Sequence, residues 1–339
     1  MALIKSPEYP PRLSLAQLPT PLTALDRLSK QLGGPRIWLK RDDQTGAAVS
    51  GNKIRKLEFS LALALEQGCD TVITCGGVQS NHCRTTAILC ASLGLKCHLI
   101  LRGSAPEPGE NAEGNLFLDY LVGAQISYYR PAHYQSQQQA IMLEWEQHYR
   151  QAGAKPFTIP TGASDGTGLW GYIAASEELA ADFSRQGIAP GHIISATGSG
   201  GTQAGLVAGN ALFNLQAKVW GINVCDDEQY FINKVRADLR QWRQLYQQSL
   251  DVEALPINVI DGYVAPGYAR ASAEVFKTIA EVAALEGVIF DPVYTGKAFN
   301  GLIDQIKKGT FDDTEDIVFI HTGGLFGLFP QREQLPLEH

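Results

Sequence analysis

The sequence has 339 residues, of which 45% are hydrophobic and 19% charged, a composition typical of soluble globular proteins. This length favours two domains or one large domain and excludes a disulfide-stabilised miniprotein, while the composition excludes a disordered or collagen-like chain. Lys and Arg number 28 against 35 Asp and Glu, so the net charge is −7, with an isoelectric point of about 5.5. Such an acidic chain offers no basic surface for a phosphate backbone, and we expect no nucleic-acid partner.

The sequence predicts a soluble, cytoplasmic protein without a bound metal. Only three apolar residues separate Met1 from Lys5, too few for the core of a signal peptide, and no apolar stretch is long enough to span a membrane. The six cysteines form no C-x-x-C pair and mostly lie in apolar runs, which predicts reduced core residues. A zinc site is the alternative, but the spacing of its ligands is missing. The cysteines are Cys69, Cys75, Cys83, Cys90, Cys97 and Cys225.

Short β-branched runs alternate with longer helical patterns, and this alternation is typical of parallel sheets with crossover helices. Several of the short runs are continuously apolar, as expected for strands covered on both faces. In chain order, the predicted strands are Arg36–Leu39, Thr71–Cys75, Cys97–Leu101, Gln125–Tyr129, Pro156–Ile159, His192–Ala196, Val219–Val224, Val288–Phe290 and Ile317–Ile320. The predicted helices include Lys53–Gln67, Asn81–Leu93 and Thr202–Phe213. The predicted fold class is therefore α/β.

The most polar stretch, Asp226–Gln248, carries apolar residues at helical spacing. This pattern predicts an amphipathic helix whose polar face is either solvated or in contact with another subunit.

A glycine-rich loop, Ala196-Thr197-Gly198-Ser199-Gly200-Gly201-Thr202, follows an apolar strand and precedes a helix. The backbone N–H groups of such a loop converge on one point, and the helix N-terminus adds positive potential, so the loop suits one phosphate group. It differs from a dinucleotide fingerprint because the sixth position from Gly198 is Gln203, and it lacks the Gly-Lys-Ser/Thr of a Walker loop. The alternative is a strand–helix turn without a ligand.

Three cations stand within four residues at the start of a helix, in Gly51-Asn52-Lys53-Ile54-Arg55-Lys56. A helix N-terminus disfavours positive charge, so we expect it to lower the pKa of a lysine placed there. A neutral lysine amine is what a Schiff base with an aldehyde requires, which makes Lys53 a candidate nucleophile. The alternative is an ordinary surface lysine.

Polar residues also follow a predicted strand in Cys75-Gly76-Gly77-Val78-Gln79-Ser80-Asn81-His82. The side chains of Ser80 and Asn81 and the free N–H groups of the next helix suit a substrate carboxylate or an aromatic oxygen, although helix capping alone also explains both residues. Further polar residues in loops are Tyr268, Tyr294 and Thr322, and each alone is compatible with a structural role.

In chain order, these segments resemble the pyridoxal-phosphate enzymes of the tryptophan-synthase-β fold family, and within it the group of D-cysteine desulfhydrases and 1-aminocyclopropane-1-carboxylate deaminases. The resemblance runs from Leu18-Pro19-Thr20-Pro21-Leu22 to His321-Thr322-Gly323-Gly324, nearly the whole chain. It implies two open, twisted, mostly parallel sheets flanked by helices (fold type II), with the cofactor between two domains. The large domain would comprise residues 1–49 and 161–339, and the smaller α/β domain residues 50–160.

The resemblance also implies roles for individual residues. Lys53 would bind pyridoxal 5'-phosphate as a Schiff base and move a substrate proton, while Lys56 would reach the phosphate. The phosphate loop would comprise Thr197, Gly198, Ser199, Gly200, Gly201 and Thr202. Asn81 would bond the ring oxygen of the cofactor, and Ser80 would bind the substrate carboxylate or act on it. The substrate would also contact Gln79 and Asn81, and it would be flanked by Tyr268 and Tyr294.

Thr295 and Thr322 occupy the two positions, near the pyridine nitrogen of the cofactor, that distinguish members of this group. The deaminases are described with a glutamate after the tyrosine and a leucine before the two glycines, where this chain has the two threonines. A carboxylate would keep the pyridine nitrogen protonated and make the ring a strong electron sink, whereas a neutral hydroxyl would not. Because sulfide is a good leaving group and needs a weaker sink, the sequence favours elimination from D-cysteine, giving pyruvate, sulfide and ammonia.

Three alternatives stay open at this point. The same scaffold suits ring-opening deamination of 1-aminocyclopropane-1-carboxylate to 2-oxobutanoate and ammonia, or β-replacement with a second nucleophile, and a catalytically silent binding module would also keep the fold. Ser50, Ala269 and Leu325-Phe326-Gly327 depart from the pattern of the group. We expect the bulkier Leu325-Phe326 pair to narrow the pocket and to change the preferred D-amino acid. The resemblance further implies a homodimer that acts on a small amino acid.

Overall fold

Two β-sheets organise the protein, for which a computed structural model describes residues 7–106 and 111–337. In chain order, the strands are β1 (Leu22–Ala24), β2 (Arg36–Lys40), β3 (Thr71–Gly77), β4 (Lys96–Arg102), β5 (Gln125–Tyr129), β6 (Pro156–Ile159), β7 (His192–Thr197), β8 (Lys218–Asn223), β9 (Asn258–Ile260) and β10 (Asp316–Ile320). The larger sheet has the order β1-β2-β10-β7-β8-β9, and the smaller sheet has the order β5-β4-β3-β6. The β1–β2 pair is antiparallel, whereas the other pairs in both sheets are parallel.

Helices connect the parallel strands and cover both sheets. They are α1 (Asp26–Leu32), α2 (Asn52–Glu66), α3 (Asn81–Leu93), α4 (Gly114–Leu121), α5 (Pro131–Gln151, kinked at Gln137), α6 (Trp170–Gln186), α7 (Gly201–Leu212), α8 (Glu228–Leu245), α9 (Ala273–Glu286) and α10 (Thr295–Lys307). No helix in the described parts of the chain is both long and apolar enough to cross a membrane.

Alternate residues of the larger sheet belong to two different cores. Ile193 and Val318 pack into a cluster with residues of α6, α7 and α8, whereas their neighbours Ile194 and Phe319 pack with α9 and α10. Since successive side chains of a strand point to opposite faces, both faces of this sheet are covered by helices. The smaller sheet is covered in the same way, by α2, α3 and α4 on one face and by α5 on the other. This burial on both faces explains why most of the strands are continuous apolar runs.

The structure confirms eight of the predicted strands to within two residues at each end, together with the predicted helices. The prediction of a strand over Val288–Phe290 is wrong. Val288 and Phe290 are buried and Ile289 is 46% exposed, so the segment has the burial pattern of a strand without pairing with one. Phe290 instead stacks on Phe299, with ring centroids 4.4 Å apart. The sequence analysis also missed the two three-residue strands, β1 and β9.

The predicted amphipathic helix within Asp226–Gln248 is α8, which spans Glu228–Leu245. Its apolar face, which includes Val235, Leu239 and Trp242, is buried in the core of the larger sheet. Contact of its polar face with another subunit stays a prediction.

The strands of the smaller sheet all fall within residues 71–159, and those of the larger sheet lie on either side of this range. The domain division at residues 49/50 and 160/161 is compatible with this arrangement and stays a prediction. All six cysteines are free thiols, and Cys75, Cys83, Cys90 and Cys97 are buried, as expected for reduced core residues.

Candidate active site

A cavity of about 890 Å³ is lined by the carboxyl ends of strands from both sheets. Its wall includes Gly77 at the end of β3, Pro160 just after β6 and Gly198 just after β7. Ligands of open α/β sheets bind beyond the carboxyl ends of the parallel strands, and this volume is sufficient for a small-molecule site. The cavity is therefore the candidate active site.

The glycine-rich loop between β7 and α7 forms part of the cavity wall, with Thr197, Gly198, Ser199, Gly200 and Thr202 among the lining residues. Gly200 has a φ of +84°, a conformation that residues with a side chain rarely adopt. A Cβ atom at Gly201 would lie 2.6 Å from Ser164 Oγ and 2.8 Å from Lys56 Nζ. The tight approach of Lys56 to this loop thus requires glycine at position 201.

Lys56 brings a buried cation to this loop from α2. Its Nζ atom donates to Gly162 O at 3.0 Å and to Ser164 Oγ at 3.2 Å, and burial lowers its pKa well below the usual value. The hydroxyl of Thr197 is buried and has no hydrogen-bond partner among the described residues. A cation, an unpartnered hydroxyl and the free N–H groups of a helix N-terminus are donors that fit a phosphate monoester. The residues present therefore fit the phosphate of pyridoxal phosphate, and its anion would favour the charged form of Lys56.

Lys53 lies in the first turn of α2 and lines the same cavity. Its Nζ atom donates to Asn52 Oδ1 at 3.1 Å, and Asn52 Nδ2 donates to Thr202 Oγ1 in the phosphate loop at 2.9 Å. Burial lowers the pKa of Lys53 to about 8, Asp291 opposes this shift, and Arg84 adds to it. The expected lowering is confirmed, but its main cause is desolvation rather than the helix end. At pH 7 about one tenth of the Lys53 amine is therefore neutral.

Arg55, the third cation at this helix start, does not line the cavity and belongs to a buried ion network behind it. It donates to both carboxylate oxygens of Asp42, at 2.9 and 2.8 Å, and it pairs with Glu178 at 2.8 Å. Tyr172 and Thr20 also donate to Asp42, at 2.6 and 2.8 Å. Burial alone would raise the pKa of Asp42, but Arg55 holds it below the usual value. This network fixes α2, which carries Lys53 and Lys56.

Ser80 and Asn81 meet the cavity at the start of α3. Ser80 caps this helix by accepting from Cys83 N at 3.2 Å, and Asn81 Oδ1 accepts from Asn115 Nδ2 at 3.0 Å. Helix capping by Ser80 is therefore confirmed, and contact of Ser80 and Asn81 with a substrate or cofactor stays a prediction. Gln79 does not line the cavity, because its side chain donates to Glu113 O and accepts from Asn115 N. Contact of Gln79 with a substrate stays a prediction.

Tyr268 and Tyr294 both line the cavity, and their hydroxyl oxygens are 2.6 Å apart. Tyr294 precedes α10, and its ring packs on the phosphate loop, where a Cβ at Gly198 would lie 3.0 Å from Tyr294 Cε1. Tyr268 lies in the loop after β9 and packs beside Gly77. The loop that bears Tyr268 is held by Lys297, a fully buried residue for which sequence reasoning assigned no role.

The two threonines near the expected pyridine nitrogen have different environments. Thr322 lines the cavity, and its carbonyl oxygen accepts from Asn52 N at 3.2 Å, next to Lys53. Thr295 is fully buried outside the described lining, and its hydroxyl donates to Asp291 Oδ1 at 2.6 Å. Only Thr322 is thus brought into the cavity, and contact of Thr295 with the cofactor stays a prediction.

The expectation that Leu325 and Phe326 narrow the pocket is wrong, because neither is among the residues that line the described cavity. After Gly324 the chain turns into a short 3-10 helix that packs against the start of α4. The Phe326 ring lies 4.9 Å from the Arg84 guanidinium, and Leu325 is 39% exposed. A change in substrate preference therefore has no direct steric cause at these positions.

His82 is a cavity residue that sequence reasoning quoted but did not use. Its Nε2 atom lies 2.7 Å from Thr74 Oγ1, and its Nδ1 atom has no partner among the described residues. Burial lowers the pKa of His82 well below its usual value, and Lys53 and Lys56 lower it further, so the ring is neutral. The only sequence feature that pointed to a role for His82 is its position directly after Ser80 and Asn81, in a helix that starts at the end of a strand.

Comparisons with known proteins agree with this geometry. The sequence profile of the family described as "Pyridoxal-phosphate dependent enzyme" matches residues 13–323. The chain is 41% identical over 330 residues to an Arabidopsis thaliana protein named bifunctional D-cysteine desulfhydrase/1-aminocyclopropane-1-carboxylate deaminase, mitochondrial, with 95% of this chain and 80% of that protein covered. It is 39% identical over 328 residues to a Serratia proteamaculans protein named D-cysteine desulfhydrase, covering 96% of this chain and 97% of that protein.

A solved structure described as an ACC deaminase homologue has a similar fold. It superposes with a TM-score of 0.83 at 34% identity, and the match covers 96% of this chain and 95% of that one. The two open sheets are therefore a fold that this chain shares with that protein.

Proposed function

Because this chain belongs to the family of pyridoxal-phosphate-dependent enzymes, we propose that it eliminates sulfide from D-cysteine, giving pyruvate and ammonia. The observation that carries the proposal is the cavity that Lys53 shares with Ser80 and the Tyr268–Tyr294 pair. An amine base, a helix N-terminus suited to a carboxylate and two hydroxyls are groups that an amino-acid substrate requires. The names of the relatives support D-cysteine as the substrate.

Pyridoxal phosphate, the cofactor of this family, supplies when bound an electron sink for the negative charge left at the substrate Cα. We propose that Lys56 and residues 197–202 hold its phosphate and that Lys53 holds its aldehyde carbon. Asn81 suits the ring oxygen, because Asn115 occupies its Oδ1 and leaves its amide N–H free to donate. Thr322 offers a neutral hydroxyl to the ring nitrogen.

Lys53 is the proposed base. With a pKa near 8, its amine is partly neutral at pH 7 and able to take the Cα proton of the substrate. Ser80 accepts from Cys83 N, so its own O–H proton is free to donate to the substrate carboxylate. This contact would hold the Cα–H bond in a fixed direction with respect to Lys53. The Tyr268–Tyr294 pair keeps a proton within reach of the departing sulfur.

Ring-opening deamination of 1-aminocyclopropane-1-carboxylate is the second candidate function, supported by the Arabidopsis relative whose name combines both activities. Thr322 favours desulfhydration, because a neutral hydroxyl in the cavity does not keep the pyridine nitrogen protonated. Breaking a carbon–carbon bond requires a stronger electron sink than expelling sulfide does.

The proposal extends to a cytoplasmic homodimer. Buried free thiols such as Cys83 and Cys90 suit a reducing compartment. Phe117 and Leu121 on α4 are 50% and 67% exposed and offer apolar area to a second copy. Light scattering on the purified protein tests the dimer, and a mass equal to one chain would contradict it.

The test of the function is a comparison of products from three substrates. The purified, cofactor-loaded protein is incubated separately with D-cysteine, L-cysteine and 1-aminocyclopropane-1-carboxylate, and sulfide, pyruvate and 2-oxobutanoate are measured. We expect sulfide and pyruvate from D-cysteine alone. Formation of 2-oxobutanoate from 1-aminocyclopropane-1-carboxylate as the main product would show that the activity is deamination. It would overturn the argument from Thr322.

A further inference from the structure

Arg102 is a charged residue of the active-site cavity that the sequence analysis did not single out. It is the last residue of β4 and stands in register with Gly77, the last residue of β3. Gly77 begins the turn that leads to Ser80, and a Cβ atom at Gly77 would lie 3.4 Å from Tyr268 Cε1. Arg102 therefore enters the cavity beside groups that the proposed function assigns to the substrate.

Two aromatic rings flank the guanidinium group of Arg102. Its carbon atom lies 4.5 Å from the centroid of the Tyr268 ring and 5.8 Å from the centroid of the Tyr134 ring. Tyr134 is buried, and Arg102 itself is half-buried. The face of an aromatic ring attracts a cation, and this attraction is stronger where water is partly excluded. A positive charge is thus held on the face of the Tyr268 ring.

Tyr268 shares its hydroxyl group with Tyr294. Their oxygens are 2.6 Å apart, so one hydroxyl donates to the other. Burial raises the pKa of Tyr294 well above its usual value, whereas Tyr294 and Arg102 both oppose the effect of burial on the pKa of Tyr268. Tyr268 is therefore the stronger acid of the pair and donates to the Tyr294 oxygen. Since a tyrosine has one hydroxyl proton, that of Tyr294 is left for a ligand in the cavity.

Tyr294 is the member of the pair that lies beside the proposed phosphate loop. A Cβ atom at Gly198 would be 3.0 Å from Tyr294 Cε1, whereas Tyr268 packs beside Gly77 and Arg102. From the reacting centre outwards, the order is thus Tyr294, Tyr268 and Arg102. When Tyr294 gives up its proton and regains one from Tyr268, the negative charge moves to the ring that carries the guanidinium group.

We propose that Arg102 is a positioning residue for the elimination, and that its charge on Tyr268 enables the tyrosine pair to deliver a proton to the departing sulfur. The inference rests on the proposed function. As the S–Cβ bond breaks, the sulfur leaves with the electron pair and takes the Tyr294 proton. Tyr294 takes the Tyr268 proton, and Tyr268 becomes a phenolate beside Arg102. Lys53 accepts the Cα proton in the same turnover, so exchange with water restores both groups without an oxidant or reductant.

The test separates the charge of Arg102 from its packing. Arg102→Met keeps a long unbranched side chain against the two rings without the charge, while Arg102→Lys keeps the charge. Arg130→Met is the matched control, because Arg130 directly follows β5, is exposed and does not line the cavity. For each cofactor-loaded protein, sulfide and pyruvate release from D-cysteine gives kcat and KM. The absorbance of the bound cofactor and the Tm verify loading and folding.

We expect Arg102→Met to lower kcat for D-cysteine about tenfold while KM changes less than about threefold. Arg102→Lys should retain at least about a third of the wild-type kcat, since it restores the cation. Arg130→Met should change neither constant. The inference is overturned if Arg102→Met leaves kcat unchanged, or if Arg102→Met and Arg102→Lys lose kcat equally.

A double-mutant cycle tests whether Arg102 acts through the tyrosine pair. Tyr268→Phe removes the hydroxyl group on which the charge acts, so adding Arg102→Met to Tyr268→Phe should lower kcat by less than about twofold. A tenfold loss in this background as well would show that Arg102 acts independently of Tyr268 and would overturn the inference. Absence of sulfide from D-cysteine with the wild-type enzyme would instead contradict the proposed function.

Discussion

The hydroxyl oxygens of Tyr268 and Tyr294 lie 2.6 Å apart, and a third residue holds the two segments that carry them together. Tyr294 directly precedes α10, and Lys297 lies in the first turn of this helix. The Nζ atom of Lys297 donates to Val264 O at 2.8 Å and to Gly267 O at 2.7 Å, in the loop that leads to Tyr268. The first turn of α10 therefore positions both tyrosines.

Replacement of this lysine should impair turnover through the position of Tyr268. In Lys297→Met, the carbonyl groups of Val264 and Gly267 lose the ammonium donor and keep only backbone donors within their own loop, so the loop is no longer tied to α10 and is free to move away from Tyr294. We expect kcat for D-cysteine to fall about tenfold or more, with a smaller change in KM. Lys277→Met, at an exposed position of α9, is the matched control. An unchanged kcat for a folded Lys297→Met enzyme would contradict a positioning role.

The buried ion network under α2 should be required for stability. Asp42→Asn removes the charge that partners Arg55, and it leaves a buried guanidinium with Glu178 alone. Loss of one member of a buried ion pair costs about 3 kcal/mol or more of unfolding free energy. Urea unfolding measures this loss. Asp26→Asn, in the exposed pair with Arg36, should cost about 1 kcal/mol or less, and equal losses in the two variants would refute the network's role.

The approach of Lys56 to the phosphate loop leads to a prediction about cofactor affinity. A methyl group at position 201 would contact Lys56 Nζ and Ser164, both of which are held by hydrogen bonds. We expect Gly201→Ala to weaken the binding of pyridoxal phosphate about tenfold or more, measured by fluorescence titration of the apoprotein. Gly327→Ala is a suitable control, because the nearest atom to its added methyl group is 3.8 Å away. Equal affinity of the two variants for pyridoxal phosphate would contradict binding of its phosphate group at this loop.

Asp119 on α4 should make stability depend on pH. Neither carboxylate oxygen has a partner among the described residues, and burial raises its pKa to about 8, although Arg84 opposes the shift. Between pH 4 and 8 the folded state then holds a proton that the unfolded chain releases. Unfolding free energy therefore falls as the pH rises, by up to about 1.4 kcal/mol per pH unit from this group.

The variant Asp119→Asn isolates this contribution. It keeps the shape of the side chain and removes the titration, so the decline in Tm between pH 5 and 8 should be shallower than in the wild-type protein. Asp312→Asn, at an exposed acidic position after α10, serves as the control. Parallel Tm curves for Asp119→Asn and the wild type would show that Asp119 titrates normally.

The parts of the site that were predicted from sequence are those defined by local patterns. Parallel strands present their carboxyl ends at one edge of a sheet. The sequence therefore predicts where a glycine-rich loop or a polar turn lies if it directly follows an apolar strand. These patterns indicated Lys53, Ser80, Asn81 and residues 197–202 as separate candidates, and the resemblance to the pyridoxal-phosphate enzymes assigned them to one site.

Other features depend on contacts distant in sequence. Gln79 stands next to Ser80 in the sequence, yet its side chain binds Glu113 and Asn115 rather than facing the cavity. Thr295 follows Tyr294, but its hydroxyl donates a hydrogen bond to Asp291. The role of Lys297 becomes visible only when the loop before Tyr268 is packed on α10. Neighbouring positions in a turn point in different directions, and only tertiary structure decides which of them faces a ligand.

The most direct test of the central claim is the release of sulfide and pyruvate from D-cysteine by the wild-type enzyme and by Lys53→Ala. Lys30→Ala, on the exposed surface of α1, is the control for the substitution itself. We predict equal amounts of sulfide and pyruvate from the wild type and from Lys30→Ala, and at least a thousandfold loss of both in a folded Lys53→Ala protein. Sulfide release by Lys53→Ala at the wild-type rate would contradict the assignment of this cavity as the active site.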